Sequence, residues 1–194
     1  MNPRRTRVTS TLAAAALPVA LLAGCSGDEP EPKFPDESSS SPTVASPSAP
    51  FEPTPPAAME RGDEAGAKAF VEYYFAMLNY AQRTGDVAGA RRLALNECAA
   101  CAGALDVVTT TYGAGGSIRG GVIDTLALDA NYEGSATAQV RNFSAQASVR
   151  TQRQVVQGSS VEKYNGTYPG DRVRMQFLLE HSPEGWHIIK WSVL

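Results

Sequence analysis

Cys98 and Cys101 are the side chains in this sequence whose type and spacing most directly imply chemistry. A Cys-x-x-Cys unit is a short disulfide, a redox couple or half of a zinc site. At the start of a helical stretch, two cysteines at this spacing can bring their sulfurs to bonding distance. A redox couple needs a thiolate stabilised at a helix N-terminus. Against that reading, helical residues rather than a strand precede the pair, and no aromatic stands before Cys98. A zinc site would have to recruit His181 and His187 from the far end of the chain, a separation that fits no finger spacing. No metal and no cofactor are therefore expected. The reading adopted is a structural disulfide pinning the second helical piece to the third, which contributes about 2 kcal/mol in the chain-entropy model.

Asp124 is the most suggestive ionisable residue. It shares the alternating phase of Val122, Leu126 and Leu128, which puts it on the core-facing side of a predicted strand. A carboxyl in apolar surroundings has a raised pKa and serves as a proton-transfer base; the competing reading is a solvated strand end beside Gly120 and Gly121. Tyr73, Tyr74, Tyr80, Trp186 and Trp191 either line a ligand cavity, with rings for stacking and polar tips, or build the core. Asp124, Tyr74 and Trp191 make up the candidate pocket. His181 and His187 flank a predicted hairpin turn, either as an acid-base pair or as strand-terminal residues bonded to backbone. The sequence has no nucleophile motif, phosphate loop or metal-ligand spacing, so no catalytic residue is assigned.

The third cysteine belongs to a different part of the chain. Arg4, Arg5 and Arg7 precede an apolar run from Val8 to Leu22, and Ala23 and Gly24 supply small side chains before Cys25. That is the order of a secretory signal peptide, too short and too broken by Pro18 to span a bilayer. Arg4-Arg5 lacks the continuation of a twin-arginine signal. Leu21-Leu22-Ala23-Gly24-Cys25 resembles a bacterial lipobox. The resemblance implies that residues 1–24 are removed and that Cys25 carries diacylglycerol and palmitate-type chains. These would hold the protein on the outer face of the cytoplasmic membrane.

The chain holds 17 Lys and Arg against 20 Asp and Glu, a net charge of −3. Loss of residues 1–24 removes three arginines and no acid, leaving −6. Residues 26–57 contain six acids against Lys33, a local −5, so the remainder carries −1. A nearly neutral domain without a Lys/Arg cluster lacks the footprint of a nucleic-acid binder. Residues 25–57 also hold nine of the 13 prolines and the run Ser38-Ser39-Ser40-Ser41. Such a composition buries too little apolar surface to offset ordering entropy, and predicts a disordered acidic tether.

Residues 58–194 are enough for one core. Phe70, Tyr73, Tyr74, Met77, Leu78 and Ala81 recur at helical spacing, predicting a helix from about Asp63 to Arg83 closed by Gly85. Asp86 is placed to cap a second helix with Leu93 and Leu95 as apolar contacts, and a third runs from Cys98 to about Tyr112. The period then becomes two. Val122 to Tyr132 reads as a strand, and Ala138 to Val149 as another with a bulge near Arg141 and Asn142 that restores its phase. Val155 to Tyr164 reads as a strand ending in an Asn165-Gly166 turn. Val173 to Leu179 and Trp186 to Val193 flank the turn Ser182-Pro183-Glu184-Gly185.

Helices first and a bent antiparallel sheet afterwards make an α+β domain with its helices on one face of the sheet. That order resembles the nuclear transport factor 2-like superfamily, a cone in which a curved sheet wraps a long first helix. The stretch Leu78-Asn79-Tyr80-Ala81-Gln82-Arg83-Thr84-Gly85-Asp86, followed by Cys98-Ala99-Ala100-Cys101, resembles an uncharacterised domain family of actinobacterial lipoproteins. It implies a membrane-anchored envelope protein and carries no known activity. Two functional classes follow: a non-catalytic module binding an envelope protein, a glycan or a small apolar ligand, and a cone-shaped enzyme with Asp124 as base.

Overall fold

The helical spacing of the first half folds as α1, Glu64–Thr84, in the computed structural model, which describes residues 50–134 and 139–194. The expected signal segment, Cys25 and the tether up to residue 49 lie outside the described residues. The Asp63 side chain accepts from the Gly66 N–H at 2.9 Å and caps the helix. Gly85, at φ 82°, closes it with its N–H on the Ala81 carbonyl. Phe70, Val71, Tyr74, Phe75 and Met77 are all buried, so the helix lies inside rather than on the surface.

Asp86 bonds the Ala88 N–H at 2.9 Å, but helix α2, Ala88–Arg92, begins beyond it and has no side-chain cap at its own N-cap residue, Val87. The chain then runs extended along the last strand: the Ile188 N–H donates to the Leu93 carbonyl, and the Leu95 N–H to that of Ile188. Helix α3 spans Ala99–Gly113 and starts at the cysteine pair.

Among the described residues seven strands follow: β1 Ser117–Gly120, β2 Ile123–Glu133, β3 Arg141–Thr151, β4 Gln154–Gln157, β5 Gly166–Tyr168, β6 Arg172–Ser182 and β7 Gly185–Val193. They form two antiparallel sheets, β2-β3-β6-β7 and β1-β4-β5. Three stretches of chain, β1 to β2, β3 to β4 and β5 to β6, cross from one sheet to the other at the same level. Hydrogen bonds continue through the crossing, from Gly121 N–H to Arg153, from Gln152 N–H to Val122 and between Thr151 and Asp171 in both directions. The ladder therefore runs on through a bend. Gly120 and Gly121, both at φ 73°, supply the left-handed backbone that the bend requires.

The main core lies between α1 and the inner face of the four-stranded sheet. Phe75 meets Phe177 edge-on at 5.7 Å, and Trp186 packs between Phe70 at 5.8 Å and Phe143 at 4.9 Å. Phe143, Ala145, Ala147 and Val149 alternate inward on β3, and Met175, Phe177 and Leu179 on β6. A smaller cluster, Ala81, Val108, Ile118 and Val156, joins α1 and α3 to the second sheet.

Two features differ from the sequence reading. No bulge lies at Arg141 and Asn142: β3 begins there, Val140 is exposed before it, and Ala138 lies outside the described residues. The bulges instead fall in β2 at Leu126 and in β7 at Ile189, where the pairing skips one residue. Second, the run from Val155 to Tyr164 is not one strand. β4 ends at Gln157, and the chain turns through Ser159, whose backbone is held from both sides by the Asn165 amide, before β5 starts at Gly166.

Candidate functional site

A cavity of about 320 Å³ opens where α1, α3 and the junction of the two sheets meet. Phe75, Leu78 and Gln82 reach it from one face of α1, and Ala104, Val107 and Val108 from one face of α3, each set at helical spacing. The sheets contribute Ile118, Ile123, Val149, Val173 and Met175, and β7 adds Trp191 and Val193. Among the described residues Gln82, Thr151 and Gln154 are the polar members of the lining, and none of the lining is an acid, a base, a histidine or a cysteine.

Asn79 fixes one wall. Its amide accepts from the Ile123 N–H at 2.9 Å and donates to the Ile123 carbonyl at 3.0 Å, taking the place of a neighbouring strand at the start of β2. The bulge at Ile189 fixes another. Trp186 and Ile188 point inward before it, and the extra residue brings Trp191 back to the inner face opposite Phe177.

Of the three residues expected in the pocket, the cavity brings in Trp191 alone. Asp124 needs correcting: it is exposed on the outer face of β2, opposite Arg150, with the Gln152 amide 3.4 Å away. The bulge at Leu126 is the reason. Ile123 packs against the core before it, with the exposed Thr125 paired opposite Val149, and Leu128, Ala130 and Tyr132 pack against the core after it, so the single phase read from Val122 to Tyr132 does not exist and Leu126 itself is 46 % exposed. Tyr74 is fully buried in the core behind the cavity rather than lining it. Burial pushes its phenol up to about 12, opposed in part by the neighbouring Trp191 indole N–H. Neither the Tyr74 hydroxyl nor the Trp191 N–H reaches full hydrogen-bond geometry with a described residue. The cavity's polar residues, Gln82 and Gln154, were not singled out from the sequence. Gln82 ends the Phe75, Leu78 series at helical spacing, a signal that a polar side chain faces the same interior.

A model for a family of unknown function (DUF6318) matches residues 45–192, more than half of the chain. The chain belongs to this family. Among solved structures, the intermembrane space region of the chloroplast protein ARC6 is similar at TM-score 0.44 and 17% identity, over 69% of this chain and 98% of that one. A periplasmic fragment of TraM is similar at TM-score 0.25 and 14% identity, over 70% and 87%. No curated protein matches the sequence.

In this DUF6318 chain Cys98 and Cys101 are disulfide-bonded, with Cα atoms 5.2 Å apart. Cys98 caps α3, its sulfur accepting from the Cys101 N–H at 3.3 Å. The two residues are 1% and 2% exposed, so an attacking thiolate has no path to either sulfur. This environment is that of a structural bridge.

The two histidines do not form a pair. His181 lies opposite Trp186 on the inner face, with ring centres 4.7 Å apart, whereas His187 is on the outer face opposite Glu180. Adjacent positions on a strand point to opposite sides. Burial, and then the nearby Arg141, hold the His181 pKa below its ordinary value. Beside the middle of α1 and the end of α2, the Tyr73 hydroxyl donates to the Pro53 carbonyl at 3.3 Å and Glu52 reaches Arg92 at 3.9 Å, so the chain already contacts the helices before residue 58. Among the described residues no group of acids, histidines and cysteines is arranged to hold a metal, and no helix is long and apolar enough to cross a membrane.

Proposed function

We propose that this chain is a lipid-anchored envelope protein of an actinobacterium whose domain binds a small apolar ligand without catalysis. In this reading residues 1–24 direct export, Cys25 carries the lipid, residues 25–57 form the tether and residues 58–194 the binding domain on the outer face of the cytoplasmic membrane. The fold is read as a nuclear transport factor 2-like cone, a reading supported by three stretches of strand that bend together around α1.

One observation carries the binding assignment: apart from Gln82, Thr151 and Gln154 the described lining of the cavity is aliphatic and aromatic, with no titratable group among it. Such a site gains affinity by removing apolar surface from water. Proton transfer requires an acid or base within reach of the substrate, and Asp124, the base of the alternative enzyme reading, faces solvent.

The neutral apolar probe N-phenyl-1-naphthylamine tests the assignment. The chain has two tryptophans, so Trp186→Phe leaves Trp191 as the sole emitter, on the cavity wall. Energy transfer from Trp191 to saturably bound probe is expected, and Ala104→Phe, which fills the cavity from α3, should abolish it. Probe binding that Ala104→Phe leaves unchanged would remove the cavity from the proposal. Mass spectrometry of the chain from its native membrane tests the anchor, and an unmodified Cys25 would overturn that part.

A further inference from the structure

We infer that the cavity takes an uncharged amphiphile, with an apolar body against its walls and a neutral hydrogen-bonding head, a primary amide or a hydroxyl, at the Gln82–Gln154 pair. The inference rests on the apolar-ligand reading of the cavity and adds the chemistry of the head. Gln82, in the last turn of α1, and Gln154, the first residue of β4, meet across the lining, where the Gln154 amide N–H donates to the Gln82 side-chain oxygen. Each side-chain amide has an N–H₂ donor and a carbonyl acceptor. The contact between them leaves the Gln82 Nε2 donor and the Gln154 Oε1 acceptor without a partner among the described residues. The pair therefore presents a donor beside an acceptor, the complement of a group that both accepts and donates. Thr151, the remaining polar residue of the lining, is already committed: its hydroxyl donates to the Asp171 carbonyl at 3.3 Å and accepts from the Asp171 N–H at 3.1 Å.

The local backbone is built around this pair. A Cβ on Gly121 would stand 2.6 Å from Gln82 Oε1 and closer still to Gln154 Nε2, and the residue's φ of 73° independently favours glycine. The Tyr112 hydroxyl donates to the Gln82 main-chain carbonyl at 2.8 Å, so α3 holds the last turn of α1 in place. Charge selects against other heads. A carboxylate or ammonium entering the cavity would lose hydration with no opposite charge in the lining, and the neighbouring Arg83 and Arg153 are exposed to solvent.

The test is displacement of N-phenyl-1-naphthylamine from the full chain carrying Cys25→Ser by dodecanamide, dodecanoate and dodecylammonium. Dodecanamide is expected to displace the probe at a concentration at least about tenfold lower than either charged ligand, because each charge would lose its hydration unpaired in the lining. In Gln82→Met/Gln154→Met the affinity for dodecanamide should fall at least about fivefold while the probe still binds and the charged ligands stay weak; if the double variant does not fold, Gln154→Met alone carries the comparison. Equal displacement by the three ligands, tighter binding of dodecanoate, or an affinity for dodecanamide that the substitutions leave unchanged would overturn the head-group assignment and leave the cavity reading standing. Failure of the probe to bind the unsubstituted chain would overturn both.

Discussion

Replacing Asn79 by alanine is expected to destabilise the domain more than any other exchange of a single polar side chain on α1. The Asn79 amide makes two hydrogen bonds to one residue, donating to the Ile123 carbonyl at 3.0 Å and accepting from the Ile123 N–H at 2.9 Å. Alanine leaves both backbone groups without a partner at the partly buried start of β2. A net hydrogen bond contributes about 1 kcal/mol, and a buried group left unpaired costs about 1–3 kcal/mol. For two groups with partial access to water, the loss comes to roughly 2–3 kcal/mol. At about 4 °C per kcal/mol for a domain of this size, thermal unfolding followed by circular dichroism should fall by about 10 °C. Asn79→Asp keeps the acceptor but turns it against the Ile123 carbonyl with no donor, so it should recover little of the loss. Asn131→Ala, an exposed change on the same strand, is the control and should cost less than about 0.5 kcal/mol. Ile123 forms part of the cavity wall, so probe affinity should fall with stability in Asn79→Ala. An unfolding temperature within about 2 °C of the parent would refute the reasoning, because it would mean that water replaces both bonds without penalty.

Other consequences can be checked with the same material. Cys98→Ser/Cys101→Ser should cost about 2 kcal/mol by the chain-entropy model, and in the native protein the bridge should resist reductant that opens it after unfolding; rapid thiol labelling of the folded protein would contradict its burial. Tyr74→Phe removes a buried hydroxyl lacking a well-formed bond, so stability should stay level or rise by up to about 1 kcal/mol; a loss of that size would show that the hydroxyl is satisfied. His181 has a folded pKa below its ordinary 6.5, so the unfolded chain binds the proton more tightly. Its contribution to stability is complete above about pH 6.5 and declines as the pH falls through the window beneath. His181→Asn should flatten that part of the pH–stability curve, and equal slopes for the two proteins between about pH 6.5 and 5 would rule the effect out.

The local signals of the sequence were sufficient where one periodicity ran unbroken. The predicted first helix, from about Asp63 to Arg83, matches α1 at Glu64–Thr84, because its apolar spacing, its aspartate cap and Gly85 all act within a turn or two. Val173, Met175, Phe177 and Leu179 alternate on a strand that stays in phase, and the cysteine spacing led to the bridge that is present. Alternation fails where a strand carries an extra residue. The bulge at Leu126 turned Asp124 outward, and the one at Ile189 turned Trp191 inward. Neither bulge has a local signature, since it is set by the pairing with β3 and β6, far along the chain. The Gln82–Gln154 contact depends likewise on the bend at Gly120 and Gly121 bringing β4 against the end of α1. The helices, the α+β class and the disulfide were therefore legible from local signals, whose causes lie within a few residues. Which polar side chains face the cavity was settled by long-range packing, because strand register sets the side on which each residue falls.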